Sequence, residues 1–295
     1  MKKQTIQYNS AGRKYGRKTG IKGPAAQIAL NVYLWLVVLL ALFPLAITIL
    51  FSLKGIHDFD RGFWTLPSKP MWSNYAYGFT RVLGNMANSI CVGLIVSVFV
   101  VGLSSFVAYV FSRRDFYGKT LLFSLIIALM MVPGVLTMTP RYLLVQNLGI
   151  KNTWFALILP WISGNQVGAI FLFRTFMGQQ PKELFESAKI DGAGDFAQYF
   201  YISIPLTVPI LIIQFINTFT GCYNEYVWSM LVIDKVEMQM LMPQLKTIIF
   251  EASQDTGNAG ITYAMYLISS IPLIITSAVG LKFFINGDFA GGLKL

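Results

Sequence analysis

PKELFESAKIDGAGDFAQYFYISIPLTVP, Pro181–Pro209, gathers Lys182, Glu183, Glu186, Lys189, Asp191 and Asp195 between two stretches that carry almost no charge. The segment reads as two short helices. Pro181 suits a first helical position, and Glu183 sits favourably against the N-terminal dipole. Leu184 and Ala188 stack at i, i+4, as do Phe185 and Lys189. Gly192 supplies the left-handed residue that ends a helix. Asp195 then caps a second helix, with Gln198 as its reciprocal partner three residues on. Phe196, Phe200 and Ile204 continue an apolar stripe towards Pro205. A folded, charged hairpin with an apolar root is expected, presenting Glu186, Lys189 and Asp191 to solvent. On pattern alone it is either a solvated hairpin or a docking surface.

The surroundings are greasy. Of the 295 residues 55% are hydrophobic and 12% charged, about half the charge of a soluble domain. Asp, Glu, Lys and Arg are absent from 23–53, 82–112, 120–140, 152–173, 196–224 and 256–281. A membrane-crossing helix needs about 20 mostly apolar residues. The expected fold is all-α, a polytopic membrane protein with six transmembrane helices near 27–53, 88–111, 120–143, 154–176, 204–228 and 263–285. Pro44, Pro133, Pro160, Pro209 and Pro272 fall inside these, which membrane helices tolerate. Residues 1–26 form a basic segment and 27–295 a single membrane domain, with the hairpin at about 181–204.

With six spans both termini share a side. Placing the basic start in the cytoplasm puts 15 Lys and Arg inside and 8 outside, as the positive-inside rule favours. The first apolar run is too long for a signal peptide. The net charge of +10 flanks spans and suits anionic lipid rather than nucleic acid. Outside, the aromatic loop 54–87 is an interfacial anchor or a partner surface. In the loop 229–262, LMPQLKTIIFEA reads as a short amphipathic helix. Cys91 and Cys222 read as packing residues within helices.

The residues of the hairpin carry a resemblance. Glu186-Ser187-Ala188, then Asp191-Gly192, nine residues, and Ile202-x-Ile204-Pro205 resemble the EAA motif of permease subunits of binding-protein-dependent ABC importers. The longer form P-x-E-L-x-E-A-A-x-I-D-G-A is matched from Pro181 to Ala193 apart from Ser187. PRYLLVQNLGIKNTWFALILP, Pro140–Pro160, and YNEYVW, Tyr223–Trp228, resemble the carbohydrate-uptake branch, in the subunit type similar to the G subunit of the maltose permease. GDFAGGLKL at the C-terminus is a looser match.

The resemblance implies a type I ABC importer permease fold and a sugar as cargo, an oligosaccharide. It implies a second permease subunit, two ATPase subunits and an extracytoplasmic binding protein as partners. Residues Glu186, Ser187, Ala188, Asp191, Gly192 and Ala193 would couple to an ATPase. ATP and its magnesium ion would be bound by those partner subunits, with no cofactor in this chain. The C-terminal tail would touch the ATPase pair.

The residues themselves weigh against other chemistry. GRKYGRKT, Gly12–Thr19, has Arg17 where a phosphate loop needs glycine and lacks its strand–helix setting. His57 is the sole histidine, so no metal cluster or catalytic triad is offered. A secondary transporter would place an acid at mid-bilayer; Glu225, about 20 residues beyond Pro205, belongs near the outer interface. Along the fifth span Gln214, Asn217, Thr218, Gly221, Asn224 and Glu225 recur on one face. That stripe either lines a sugar pathway or bonds to neighbouring helices. Gly93/Ser97 and Ser104/Ala108 read as close-packing pairs. A non-sugar solute is the alternative cargo.

Overall fold

The computed structural model describes residues 24–285, all-helical with no strand among them. They fall into two units, divided after Leu50. The first is most of α1 (Pro24–Ser52), an apolar helix that runs on through Pro44, where the Thr48 hydroxyl donates to the Pro44 carbonyl at 2.8 Å. The basic start and the C-terminal tail lie outside the described residues.

The second unit is organised around α2 (Ser73–Arg113). Its 41 residues make a rod of about 60 Å, twice the hydrocarbon thickness. α5 (Trp154–Gly178) packs along it most extensively, followed by α8 (Ile204–Tyr223) and α11 (Gly260–Ile285). The buried stripe Val92, Val96, Val100, Ser104 and Ala108 faces these helices, the i, i+4 spacing that one helical face requires. Gly93 lets Phe219 of α8 come close; a Cβ there would meet its ring at 3.0 Å. The expected small-residue packing is therefore present.

Among the described residues, five helices are long and apolar enough to cross a membrane. The sixth expected span, 120–143, is a shorter helix α3 (Lys119–Met130), a break, and α4 (Met138–Asn147). Pro133 has no N–H for a continuing helix, and the chain turns there, with Leu136 N–H bonding the Pro133 carbonyl at 3.0 Å and Thr137 N–H the Gly134 carbonyl at 3.3 Å.

α2 also starts earlier than expected, so Tyr75, Tyr77 and Phe79 are helical and the first loop is only 53–72. The polar residues that masked this extension act as hooks. Asn85 and Asn88 donate to the carbonyls of Gln239 and Glu237 in the loop after α9 (Val227–Val232). Arg81 pairs with Asp255 at 2.6 Å, at the end of α10 (Leu241–Thr256). That helix is the expected amphipathic one, burying Leu241, Leu245, Ile249 and Ala252.

Two buried polar knots shape this end. Lys54, fully buried, donates to the carbonyls of Gly62 and Phe63 and lies over the rings of Phe51 and Phe59. Asn74 Nδ2 donates to the carbonyls of Ser52 and Lys54, and its Oδ1 accepts from Asn258 Nδ2. The Asn258 Oδ1 in turn accepts from Gly260 N–H at 2.9 Å.

Nearby, Asp234 accepts from Asn152 Nδ2 and pairs with Lys151, both at 3.0 Å. These contacts hold its carboxyl below the ordinary 3.8, while Asp234 raises the Lys151 ammonium above 10.5. The carboxylate's contribution is present above pH 3.8 and lost as pH falls through the depressed value. Thermal melts of wild type and Asp234→Asn should therefore differ by a small constant amount between pH 5 and 8, and converge below pH 3.8. A gap that persists in acid would contradict this.

Candidate functional site

The charged hairpin follows α5 directly. α6 (Lys182–Ile190) is preceded by Pro181, which stands one residue before the first turn in extended conformation rather than inside the helix. Glu183 in its first turn and Lys189 in its last complement the dipole. The helix closes in a Schellman arrangement: Ala193 N–H bonds the Ala188 carbonyl at 2.8 Å and Gly192 N–H the Lys189 carbonyl at 3.1 Å. Gly192 has φ +84°, the left-handed conformation expected of it. Of the expected coupling residues, Glu186, Ser187, Asp191 and Gly192 are exposed, and Ala188 and Ala193 are half-buried.

The second arm departs from expectation. α7 (Asp195–Gln198) is a single turn whose N-cap is Gly194, with no side-chain cap. The expected reciprocal cap does not form. Asp195 instead pairs with Arg114, the residue that follows α2, and Gln198 Nε2 reaches back to the Ala193 carbonyl at 2.9 Å. A turn of π-helix, Tyr199–Ser203, leads into α8. Its wider turn shifts the helical register, and Phe196 and Phe200, on either side of its start, are 68% and 58% exposed. The buried aromatics are Phe185 and Tyr199. The Tyr199 hydroxyl shares a hydrogen bond with Ser105 at 2.8 Å.

Three residues that hold this hairpin were not legible in the sequence. Arg113, at the end of α2, donates from Nη2 to the carbonyls of Met177 and Gln180 at 2.6 and 2.9 Å, and its guanidinium stacks 3.9 Å from the Phe185 ring. Arg114 takes the other arm through Asp195. Buried Gln180 donates to the Ser203 carbonyl and Thr207 hydroxyl at 3.1 and 2.9 Å, joining the entry of the hairpin to its exit. Tandem arginines ending an apolar helix are the one signal that could have been found.

At the other end, a cavity of about 240 Å³ lies between α4, α5 and the end of α8. Trp161, Asn165, Arg141, Glu225 and Trp228 line it. The Glu225 carboxylate accepts from Trp228 N–H at 2.6 Å, and Arg141 lies over the Trp228 ring at 5.4 Å. Gly221 backs Trp161, where a Cβ would stand 3.6 Å from its ring. Of the six stripe residues, Glu225 lines this cavity, and Gly221 packs behind Trp161. Gln214 donates to Thr218 at 3.2 Å, Asn224 to the Thr220 carbonyl at 3.0 Å, and Asn217 is exposed. An aromatic face beside a guanidinium, a carboxamide and a carboxylate is chemistry suited to a polyhydroxylated solute.

A membrane domain of long apolar helices, with a clamped polar hairpin between α5 and α8, is that of a multi-pass transport component. Residues 100–285 match the family described as binding-protein-dependent transport system inner membrane component, and the chain belongs to it. It is 34% identical to a putative ABC transporter permease of Caldicellulosiruptor sp., over 78% of this chain and 83% of that one. It is 29% identical to the arabinooligosaccharide transport system permease AraQ of Halalkalibacterium halodurans, over 94% and 99%. Among solved structures it resembles a bacterial ABC transporter involved in the import of the acidic polysaccharide alginate. The TM-score is 0.72 at 23% identity, covering 90% of this chain and 99% of that one, a likeness in fold alone.

Proposed function

We propose that this chain is one of two permease subunits of an ATP-driven oligosaccharide importer, and that residues 181–204 couple it to separate ATPase subunits. The observation that carries this is the double clamp on the hairpin. A transmitter must be rigid and must be fastened to the spans. Here Arg113, Arg114 and Gln180 fasten both arms to α2, α5 and α8, while Glu186, Ser187 and Asp191 stay exposed. Glu186 pairs with a basic group of the ATPase, and contact with Ala188, Gly192 and Ala193 completes the docking. ATP and magnesium are held by those partners. Closure of the ATPases rocks the helices so that a sugar delivered by an extracytoplasmic binding protein enters.

The hairpin and both termini are cytoplasmic on this reading, with 1–26 a basic membrane-surface segment and 27–295 the membrane domain. The cargo class is supported by the arabinooligosaccharide permease among its relatives and by the Trp161–Glu225 cavity. Reconstitution with ATPases and binding protein tests it: an oligosaccharide should stimulate ATP hydrolysis, and stimulation only by a non-sugar solute would overturn the cargo.

Trp161 offers a broad aromatic face to this cavity, so Trp161→Ala should raise the half-saturating sugar concentration for uptake about tenfold. ATP hydrolysis without sugar should not change. An unchanged half-saturation would remove the cavity from the pathway.

A further inference from the structure

A second, larger cleft of about 440 Å³ opens where the last turn of α2, the start of α3 and α6 meet. Two residues of its wall carry buried polar groups without a partner among the described residues. Tyr109 is 2% exposed and its hydroxyl makes no hydrogen bond; Arg113 Nε is buried and likewise unbonded. Native proteins rarely leave such donors unsatisfied. The Arg113 Nε–H can only donate and the Tyr109 hydroxyl can donate, so one acceptor group would satisfy both.

The rim says which kind. Arg114, Lys119, Lys182 and Lys189 line it, against Asp115 and Glu186. Asp115 is paired with Lys119 at 2.9 Å, and Arg114 with Asp195. The lysines of α6, Lys182 and Lys189, make no ion pair among the described residues. What remains is Arg113, Lys182 and Lys189 facing the single carboxylate of Glu186.

We propose that this cleft binds a phosphate-bearing anion, a mono- or diester, bridging the end of α2 to α6. A phosphate group offers enough oxygens to accept from a phenol, a guanidinium N–H and an ammonium together. Basic pockets between membrane helices at the cytoplasmic interface recognise phospholipid headgroups by the same chemistry. Occupancy braces α6 against α2. The binding is independent of the transport reading; only its effect on coupling rests on that reading.

The test uses the assembled, delipidated complex. It is exposed separately to inorganic phosphate, followed by equilibrium dialysis, and to phosphatidylglycerol or phosphatidylcholine micelles, followed by native mass spectrometry of retained lipid. Saturable uptake of inorganic phosphate identifies a free phosphate as the source. Preferential retention of phosphatidylglycerol alone identifies a lipid. In either case the Lys182→Gln/Lys189→Gln pair should weaken binding roughly thirty-fold. Tyr109→Phe, which keeps the ring, should weaken it about fivefold with an unchanged melting temperature. Equal retention of both lipids with no saturable phosphate uptake overturns the proposal. So does binding indifferent to these variants. Phosphate bound by the isolated chain but not by the complex also overturns it, and assigns the cleft to an acidic side chain of the ATPase.

Discussion

Glu186→Lys should abolish uptake and leave ATP hydrolysis running without transport, while the protein still inserts and folds. Glu186 is exposed on α6, and lysine and glutamate have similar helix propensity, so the hairpin itself loses little. Its Schellman closure, its Arg113 stack and its Asp195 pair do not involve the Glu186 carboxylate. What changes is the surface. A third lysine beside Lys182 and Lys189 repels the basic group that Glu186 would have met. Removing one partner of a buried charge pair costs about 2–5 kcal/mol, so docking should weaken by roughly 30-fold or more. Uptake into proteoliposomes, measured with ATP hydrolysis on the same sample, separates coupling from folding. Normal uptake by this variant would remove Glu186, and with it the hairpin, from the coupling role.

Gly260→Ala should be the most damaging small substitution at the opposite end. A Cβ there would lie 2.3 Å from the Lys54 carbonyl oxygen and 2.8 Å from Asn74 Nδ2. Neither neighbour can yield cheaply. The Lys54 carbonyl is backbone, already engaged by Asn74, and Asn74 is held by Asn258. Overpacking of this kind costs about 1–3 kcal/mol, and each buried hydrogen bond that is forced apart adds about 1–3 kcal/mol. The melting temperature in detergent should fall by on the order of 10 °C. Gly84→Ala, where nothing lies within 4 Å of the new methyl, should show no fall. Equal melting of the two variants would mean that the close approach at Gly260 is not maintained.

The spans were legible because hydropathy is a local property. Charge-free windows found α1, α5, α8 and α11 to within a few residues. The same windows hid two things. Val132-Pro133-Gly134 carries no charge, so the interruption between α3 and α4 was invisible to them. Arg81 ended a window although the helix runs on through it, because its charge is answered by Asp255 far along the chain. In the hairpin, Gly192 was readable as local turn chemistry, and the Pro181-to-Ala193 pattern as a family resemblance. The cap expected of Asp195 was not realised, because a stronger partner, Arg114, arrives through tertiary folding. The π turn that joins the hairpin to α8 is one that no periodicity announces. The cavity showed least of all in the sequence. Glu225 lay on a visible stripe, but Trp161, Asn165 and Arg141 join it from two other helices.

The 41-residue α2 is gripped at one end by the arginine clamp and at the other by Asn85, Asn88 and Arg81. It therefore behaves as a lever with no joint along its length. A tilt of about 5° on a rod of about 60 Å carries one tip about 5 Å relative to the other. Motion imposed on the hairpin would reach the far loops as leverage, arriving as soon as it begins, with no relay of separate rearrangements between.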